Sequence, residues 1–271
     1  MSGGHWHPEI VAGLEAVVAG YLLLTGPLRR RRGWGPPPTR GRLAAFLGGT
    51  ALLAAVVLGP VAEWAERAAL SAHMLQHLVL MLVVPPLWLA GLPDWLWPRL
   101  TARPRVRAAG LRLTRPIVTL LLASAVQAAW HVPVAFEAAL RADPLHALEH
   151  LSFLGTGLLF WWPVLGTAPA WPRPTPPGRL LYLFLATIPM MAIAAPITLA
   201  EDLLYPAYAA APGAWPLPPA ADQVLAGVLM WVGGSLVYLA AATVVFFRWA
   251  WPETREDGEP SLVGEVTAHG R

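Results

Sequence analysis

Six stretches of at least 20 residues in this chain contain no Asp, Glu or Arg: 43–62, 70–92, 116–136, 151–172, 180–200 and 223–247. A seventh, 10–28, is interrupted only by Glu15. About 20 apolar residues in helical geometry cross the hydrocarbon of a bilayer. In lipid the backbone must satisfy its own N–H and C=O groups, so a segment of this kind is a helix. A water-soluble globule is excluded by the same residues. The chain is 56% hydrophobic and 13% charged, where soluble domains carry about 25% charged residues. The reading is an all-α polytopic membrane protein with seven transmembrane helices.

The segments between the spans read as loops. Residues 33–41, 168–178 and 206–221 are dense in proline, which neither continues a helix nor donates a backbone hydrogen bond. The arginines set the expected orientation. The loop after the first span carries Arg29, Arg30, Arg31, Arg32, Arg40 and Arg42; the loop after the third carries Arg99, Arg103, Arg105, Arg107, Arg112 and Arg115. Arg173 and Arg179 follow the fifth, and Arg248, Arg255 and Arg271 follow the seventh. Seventeen of the 19 basic residues thus fall on one side, with Arg67 and Arg141 on the other. The positive-inside rule makes the rich side cytoplasmic. The N-terminus is then outside and the C-terminus cytoplasmic.

Residues 1–9 have no basic stretch, so a cleaved signal peptide is not expected and the first span stays in the mature protein. Residues 1–250 form the membrane domain, and the polar, acidic residues 251–271 are expected to be a disordered cytoplasmic tail. There is no cysteine, which excludes disulfides and thiolate metal sites. The arginines form clusters beside apolar spans rather than a soluble basic domain, so no nucleic-acid partner is indicated.

The histidines lie on the side opposite to the arginines. His5 and His7 precede the first span, His73 and His77 lie near the start of the third, His131 near the end of the fourth, and His146 and His150 open the fifth. Only His269, in the tail, departs from this. His73 with His77, and His146 with His150, are four residues apart, as are Gln127 and His131. That spacing puts both members on one helix face. His73, His131 and His146 are expected to be shallow, with His77, Gln127 and His150 a turn deeper. Neutral imidazole is a ligand for zinc, copper, iron and nickel, and ionisable groups inside spans are costly enough to mark function. The competing reading is histidine at the interface, bonded to loops or headgroups. His5 and His7 fit that reading better than ligation.

Other side chains have two readings each. Glu15 is either a buried hydrogen-bond partner or a carboxylate behind a ligating histidine. Glu149 either orients a ring or faces the loop. Met74, Met81, Met190 and Met191 either pack or offer thioethers to Cu(I). Trp95, Trp97, Trp161, Trp162, Trp249 and Trp251 read as interfacial anchors. Pro85, Pro86, Pro189 and Pro196 are expected to kink their spans. No phosphate-binding glycine loop and no nucleophile-elbow motif is present.

On these residues the chain resembles the multi-spanning CtaG family of bacterial cytochrome c oxidase assembly factors. The matching stretches are His73-Met-Leu-Gln-His77 running to Pro85-Pro86 and Gly91-Leu-Pro93, Trp130-His131-Val-Pro133, His146-Ala-Leu-Glu-His150 and Phe160-Trp-Trp-Pro163. Leu204-Tyr205-Pro-Ala-Tyr208 and Asp222-Gln223 with Gly227 and Met230-Trp231 follow in order. The resemblance spans roughly residues 5–250. It implies a multi-pass protein of the bacterial cell membrane that serves a haem-copper oxidase, with an oxidase subunit and the lipid bilayer as partners. Its histidine pattern falls on His73, His77, His131, His146 and His150.

Together these readings describe a non-catalytic assembly factor that holds copper on an outer-leaflet histidine cluster. Two alternatives stay open. One is an intramembrane zinc hydrolase, with His73, His77 and His150 as ligands and Glu149 or Asp143 as base. The other is a haem-binding protein with histidines facing each other across two helices.

Overall fold

The computed structural model describes residues 8–171, 173–210 and 215–251. Within them the chain is helical, with no strand. The elements are α1 (Pro8–Arg32), α2 (Arg40–Leu58), α3 (Pro60–Arg67), α4 (Leu70–Gly91), α5 (Leu96–Thr101), α6 (Pro104–Leu113), α7 (Pro116–His131), α8 (Pro133–Arg141), α9 (Asp143–Leu165), α10 (Pro176–Leu199) and α11 (Pro219–Ala250). A 3₁₀ turn, Pro206–Ala210, lies between the last two. His5, His7, His269 and the tail beyond Trp251 lie outside the described residues.

Proline sets the starts. Pro60, Pro104, Pro116, Pro133, Pro176 and Pro219 stand in the first turns of their helices, where the missing N–H leaves no bond unmade. Thr39 and Thr175 accept from the backbone N–H of Arg42 and Gly178 and so cap α2 and α10. Gly33, at φ 59°, ends α1 in the left-handed region, which glycine enters without a Cβ clash. Prolines inside spans are absorbed differently. One π turn, Leu24–Leu28, takes in Pro27, and another, Val79–Val83, runs into Pro85-Pro86. Such a turn relieves the hydrogen bond that proline cannot make. Pro189 and Pro196 lie within the unbroken α10.

Among the described residues, five helices are long and apolar enough to cross a membrane: α1, α2, α4, α10 and α11. Counting α6 and α7, bent by 72°, as one broken span makes six. The remaining long helix, α9, has 23 residues but falls short in apolarity, because His146, Glu149 and His150 occupy its first turns. The expected span 151–172 therefore begins earlier, at Asp143, and ends at Leu165. The expected span 116–136 breaks after His131, where Val132 is extended and Pro133 starts α8. The residue before a proline is driven out of helical geometry.

The bundle is built around α4, 56% buried against 11% for α1. It packs on α2, α3, α9 and α11, while α10 packs on α7 and α11. The approach of α9 to α4 depends on Gly157, where a Cβ would lie 2.7 Å from the Met81 carbonyl oxygen. No side chain fits at that crossing, and its absence lets the two histidine-bearing helices meet. The tryptophans correct an expectation. Trp97, Trp161 and Trp162 are buried, with Trp97 edge-on to Trp162 at 4.7 Å. They are core residues, while Trp249 and Trp251 are exposed as anchors would be.

A candidate metal centre

Both histidine pairs sit in the first turns of their helices, His73 and His77 on α4, His146 and His150 on α9. Four-residue spacing aims each pair at the facing helix. Ring centroids lie 4.4 Å apart within the first pair and 4.2 Å within the second. Across the helices, His73 lies 5.5 Å from His146 and 6.5 Å from His150, and His77 lies 6.1 Å from His150. His131, at the end of α7, comes to 5.5 Å from His77. All five histidines singled out in the sequence therefore meet at one end of the bundle.

A carboxylate joins them. Glu149 is fully buried, its Oε1 3.3 Å from His77 Nε2 and its Oε2 3.8 Å from His73 Nε2. One ligand atom from each of His73, His77, Glu149 and His150 falls within 4.8 Å of the others. The sequence reading left Glu149 between two roles and outside the ligand set. It stands three residues after His146 and one before His150, so it shares their face of α9. Glu15 and Asp143 are exposed and take no part.

The hydrogen bonds around the cluster fix its chemistry. His73 Nδ1 lies 3.3 Å from the Ala65 carbonyl and 3.0 Å from Tyr208 Oη. A carbonyl only accepts, and Tyr208 Oη itself donates to Ala65 O at 2.5 Å. Nδ1 is therefore the protonated nitrogen, and in the neutral ring the lone pair on Nε2 faces Glu149. His131 repeats the device: Nδ1–H donates to the Gln127 carbonyl at 2.7 Å, which leaves the Nε2 lone pair facing inward. Outer contacts of this kind orient metal-ligating histidines. Burial, reinforced by the Glu149 carboxylate, pushes the Tyr205 and Tyr208 phenols up, so both are neutral donors.

The loop bearing these tyrosines is itself tied down. Tyr205 donates to the His131 carbonyl at 2.8 Å, and Gln223 accepts from Leu204 N–H at 2.8 Å and donates to the Asp202 carbonyl at 3.0 Å. Asp222, beside it on α11, accepts from Ser71 N–H at 3.3 Å and from the Ser71 hydroxyl. Four elements thus hold the cluster from outside.

Inside the cluster the pairing stops. His73 Nε2, both nitrogens of His77, both carboxylate oxygens of Glu149 and His150 Nε2 are buried without a hydrogen bond from the described residues. Each such atom costs about 1–3 kcal/mol when it stays unpaired, and native interiors hold few of them. One ligand atom from each of the four residues, with a carboxylate among them, makes a group that could hold a cation. Imidazole with carboxylate suits zinc, copper or iron. The rings pack directly on each other and on Phe136 and Phe153, which suits a single ion and leaves no slot for a macrocycle.

A family model described as cytochrome c oxidase caa3 assembly factor matches residues 19–251. An uncharacterized protein of Mycobacterium leprae is 25% identical over 267 residues, covering 92% of this chain and 40% of its own length. An uncharacterized protein of Mycobacterium bovis is 28% identical over 270 residues, with the same two coverages. The chain thus spans about two fifths of the length of the curated relatives it matches. No solved structure matches it.

Proposed function

Since the chain belongs to the cytochrome c oxidase caa3 assembly factor family, we propose that it loads copper into a haem-copper oxidase from the buried cluster between α4 and α9. The observation that carries this reading is the convergence of His73, His77, Glu149 and His150 within 4.8 Å. Three neutral imidazoles and one carboxylate offset a cation without thiolates, and His131 and His146 stand beside them as further donors. The protein is an ion carrier rather than an enzyme: it binds the ion, excludes water from it, and releases it to an oxidase subunit in the same membrane.

The reading includes seven spans, with α9 crossing beside the five apolar helices and the α6–α7 pair. The N-terminus is outside, and the cluster lies beneath the extracytoplasmic face. A helix with ionisable residues in its first turns crosses a bilayer when the deeper ones face the bundle, as Glu149 does here. Reporter fusions after Arg32 are expected to report the cytoplasm, and fusions after Arg67 or Arg141 the outside.

The decisive measurement is the metal content of the purified chain, together with oxidase activity in cells carrying His77→Ala or His150→Ala. Copper in the wild type, a lower copper content in both variants and a fall in copper-replete oxidase are expected. Normal oxidase activity in both variants would leave the histidines structural.

One observation favours a second reading. His146-Ala-Leu-Glu149-His150 is an H-x-x-E-H sequence, a pattern found in zinc peptidases, and Glu149 sits among the imidazoles. A hydrolase places its carboxylate across from an open, water-filled position, whereas Glu149 here is fully buried. Hydrolysis of a lipid amide or ester by the zinc-loaded chain, lost in Glu149→Gln, would favour the enzyme over the carrier.

A further inference from the structure

Directly beside the cluster lies a second set of donors that the proposed reading does not use. Met74 and Met81 on α4, Met190 on α10 and Met230 on α11 surround a small cavity of about 10 Å³, together with His77, Gln127 and His131. That volume holds one water-sized occupant. Each of the four methionines is at most 3% exposed, while Met191, the next residue along α10, is 44% exposed and turned away. On α4 the positions of Met74, His77 and Met81 follow helical spacing, so one face carries a thioether, an imidazole and a thioether in sequence.

Packing alone accounts poorly for one contact here. Met74 Sδ lies 3.3 Å from His131 Nε2. His131 Nδ1 already spends the ring's one proton on the Gln127 carbonyl, so in the neutral ring Nε2 faces the sulfur lone pair with its own. Two electron-pair donors held together without a proton between them repel. They are stabilised by a cation that both can ligate. A metal with bonds of about 2.0 Å to nitrogen and 2.3 Å to sulfur brings the two atoms to about 3.5 Å in tetrahedral geometry, close to the separation seen. Met190 Sδ is oriented into the same space, since Gln127 Nε2 donates to it at 3.2 Å. His77 lines the cavity, and its Nδ1 is buried without a hydrogen bond among the described residues.

We propose that this pocket is a second ion site, built for a monovalent soft ion of the Cu(I) class, with Met74, Met190 and His131 as its ligands and Met81 and Met230 as neighbours that can enter the coordination. It rests on the reading of the chain as a copper carrier and deepens it. The neutral thioether–imidazole site carries no formal charge and suits a +1 ion. The cluster with Glu149 carries a negative charge and hard donors and suits a +2 ion. His77 lines the first and belongs to the second, so the two sites share one side chain.

The test uses the purified full chain in neutral detergent, titrated separately with Ag(I), with Cu(I) under reducing conditions, and with Zn(II). The variants are the triple Met74→Leu/Met190→Leu/Met230→Leu, His150→Ala, and Met191→Leu as control. Leucine conserves the volume, and circular dichroism reports whether the helices are kept. The triple variant is expected to lose Ag(I) and Cu(I) affinity by roughly a hundredfold, at the upper end of what displaced metal contacts cost, while Zn(II) binding stays within about threefold. His150→Ala is expected to do the reverse. X-ray absorption of the Cu(I) form should show sulfur neighbours that vanish in the triple variant. A folded triple variant that keeps its Ag(I) and Cu(I) affinity overturns the second site and leaves the carrier reading standing. Wild-type chain that holds none of the three ions overturns both.

Discussion

The two ends of the bundle treat charge in opposite ways. At one end, the starts of α4 and α9 bury imidazoles and a carboxylate and leave their inner atoms without hydrogen bonds. At the other, arginines stand at the surface and are given acceptors. Arg42 donates to the Leu92 carbonyl and pairs with Asp94, Arg29 donates to the carbonyls of Thr25 and Gly35, and Arg99 donates to Trp95 O and lies over the rings of Trp34 and Trp95. Arg29, Arg42 and Arg99 find acceptors within the chain, while six buried atoms of the cluster find none among the described residues. The contrast supports the proposed reading of the histidine end as a place for an ion and of the arginine end as solvated surface.

The largest break in that comparison comes from Glu149→Gln. If the carboxylate serves a bound ion, the substitution lowers metal affinity by roughly a hundredfold or more. It puts a neutral amide where a carboxyl group sits without a hydrogen bond from the described residues, so the metal-free protein is expected to lose no stability. Thermal unfolding with and without chelator reads both effects. A variant destabilised in the metal-free state would mean that Glu149 is held by the fold for its own sake.

Tyr208→Phe is the next in size. The hydroxyl touches no ligand atom that faces the ion; it accepts from His73 Nδ1–H. Its loss leaves Nδ1–H only the longer contact to the Ala65 carbonyl and is expected to weaken metal binding about 10- to 100-fold, with little change in unfolding temperature. Gly157→Val acts through the helices instead. Overpacking of the crossing on the Met81 carbonyl is expected to cost about 1–3 kcal/mol and to lower metal occupancy by parting α4 from α9. Full occupancy with reduced stability would separate the site from that crossing.

Much of this was legible in one dimension, and the failures are physical. The apolar runs announced the long helices, since lipid leaves no other backbone solution, and four-residue spacing announced both histidine pairs. The apolar run of α9 was drawn only from Leu151 because the residues before it are too polar to read as span, although Glu149 among them is buried in the bundle. The break at Val132 was announced by Pro133 and passed over because apolarity continues through it. Glu149 was visible as a neighbour of His150, but its depth depends on the angle of α9 against α4, which Gly157 sets from two turns away. Tyr208 and Met230 reach the site only through the return of α10 and α11, and no local pattern carries that information. The buried tryptophans failed for the same reason, since an indole near a span end suits core and interface equally.

The smallest expected effect tests the other half of the comparison. Arg173 and Arg248 line a cleft of about 440 Å³ with Arg42 and Arg179 at the arginine end, and both are exposed. If that end serves placement alone, Arg173→Gln with Arg248→Gln should leave metal content within about twofold and stability within about 0.5 kcal/mol, as for surface substitutions generally. The cluster lies at the far ends of α4 and α9, and screening over that distance removes any direct field from two solvated charges. A clear fall in metal occupancy would therefore need a mechanical route, and α11 is the one available: it carries Arg248 at its end, Met230 in its middle and Asp222 against Ser71 at its start. Unchanged occupancy in the double variant, beside its loss in Glu149→Gln, would show that the two ends act independently.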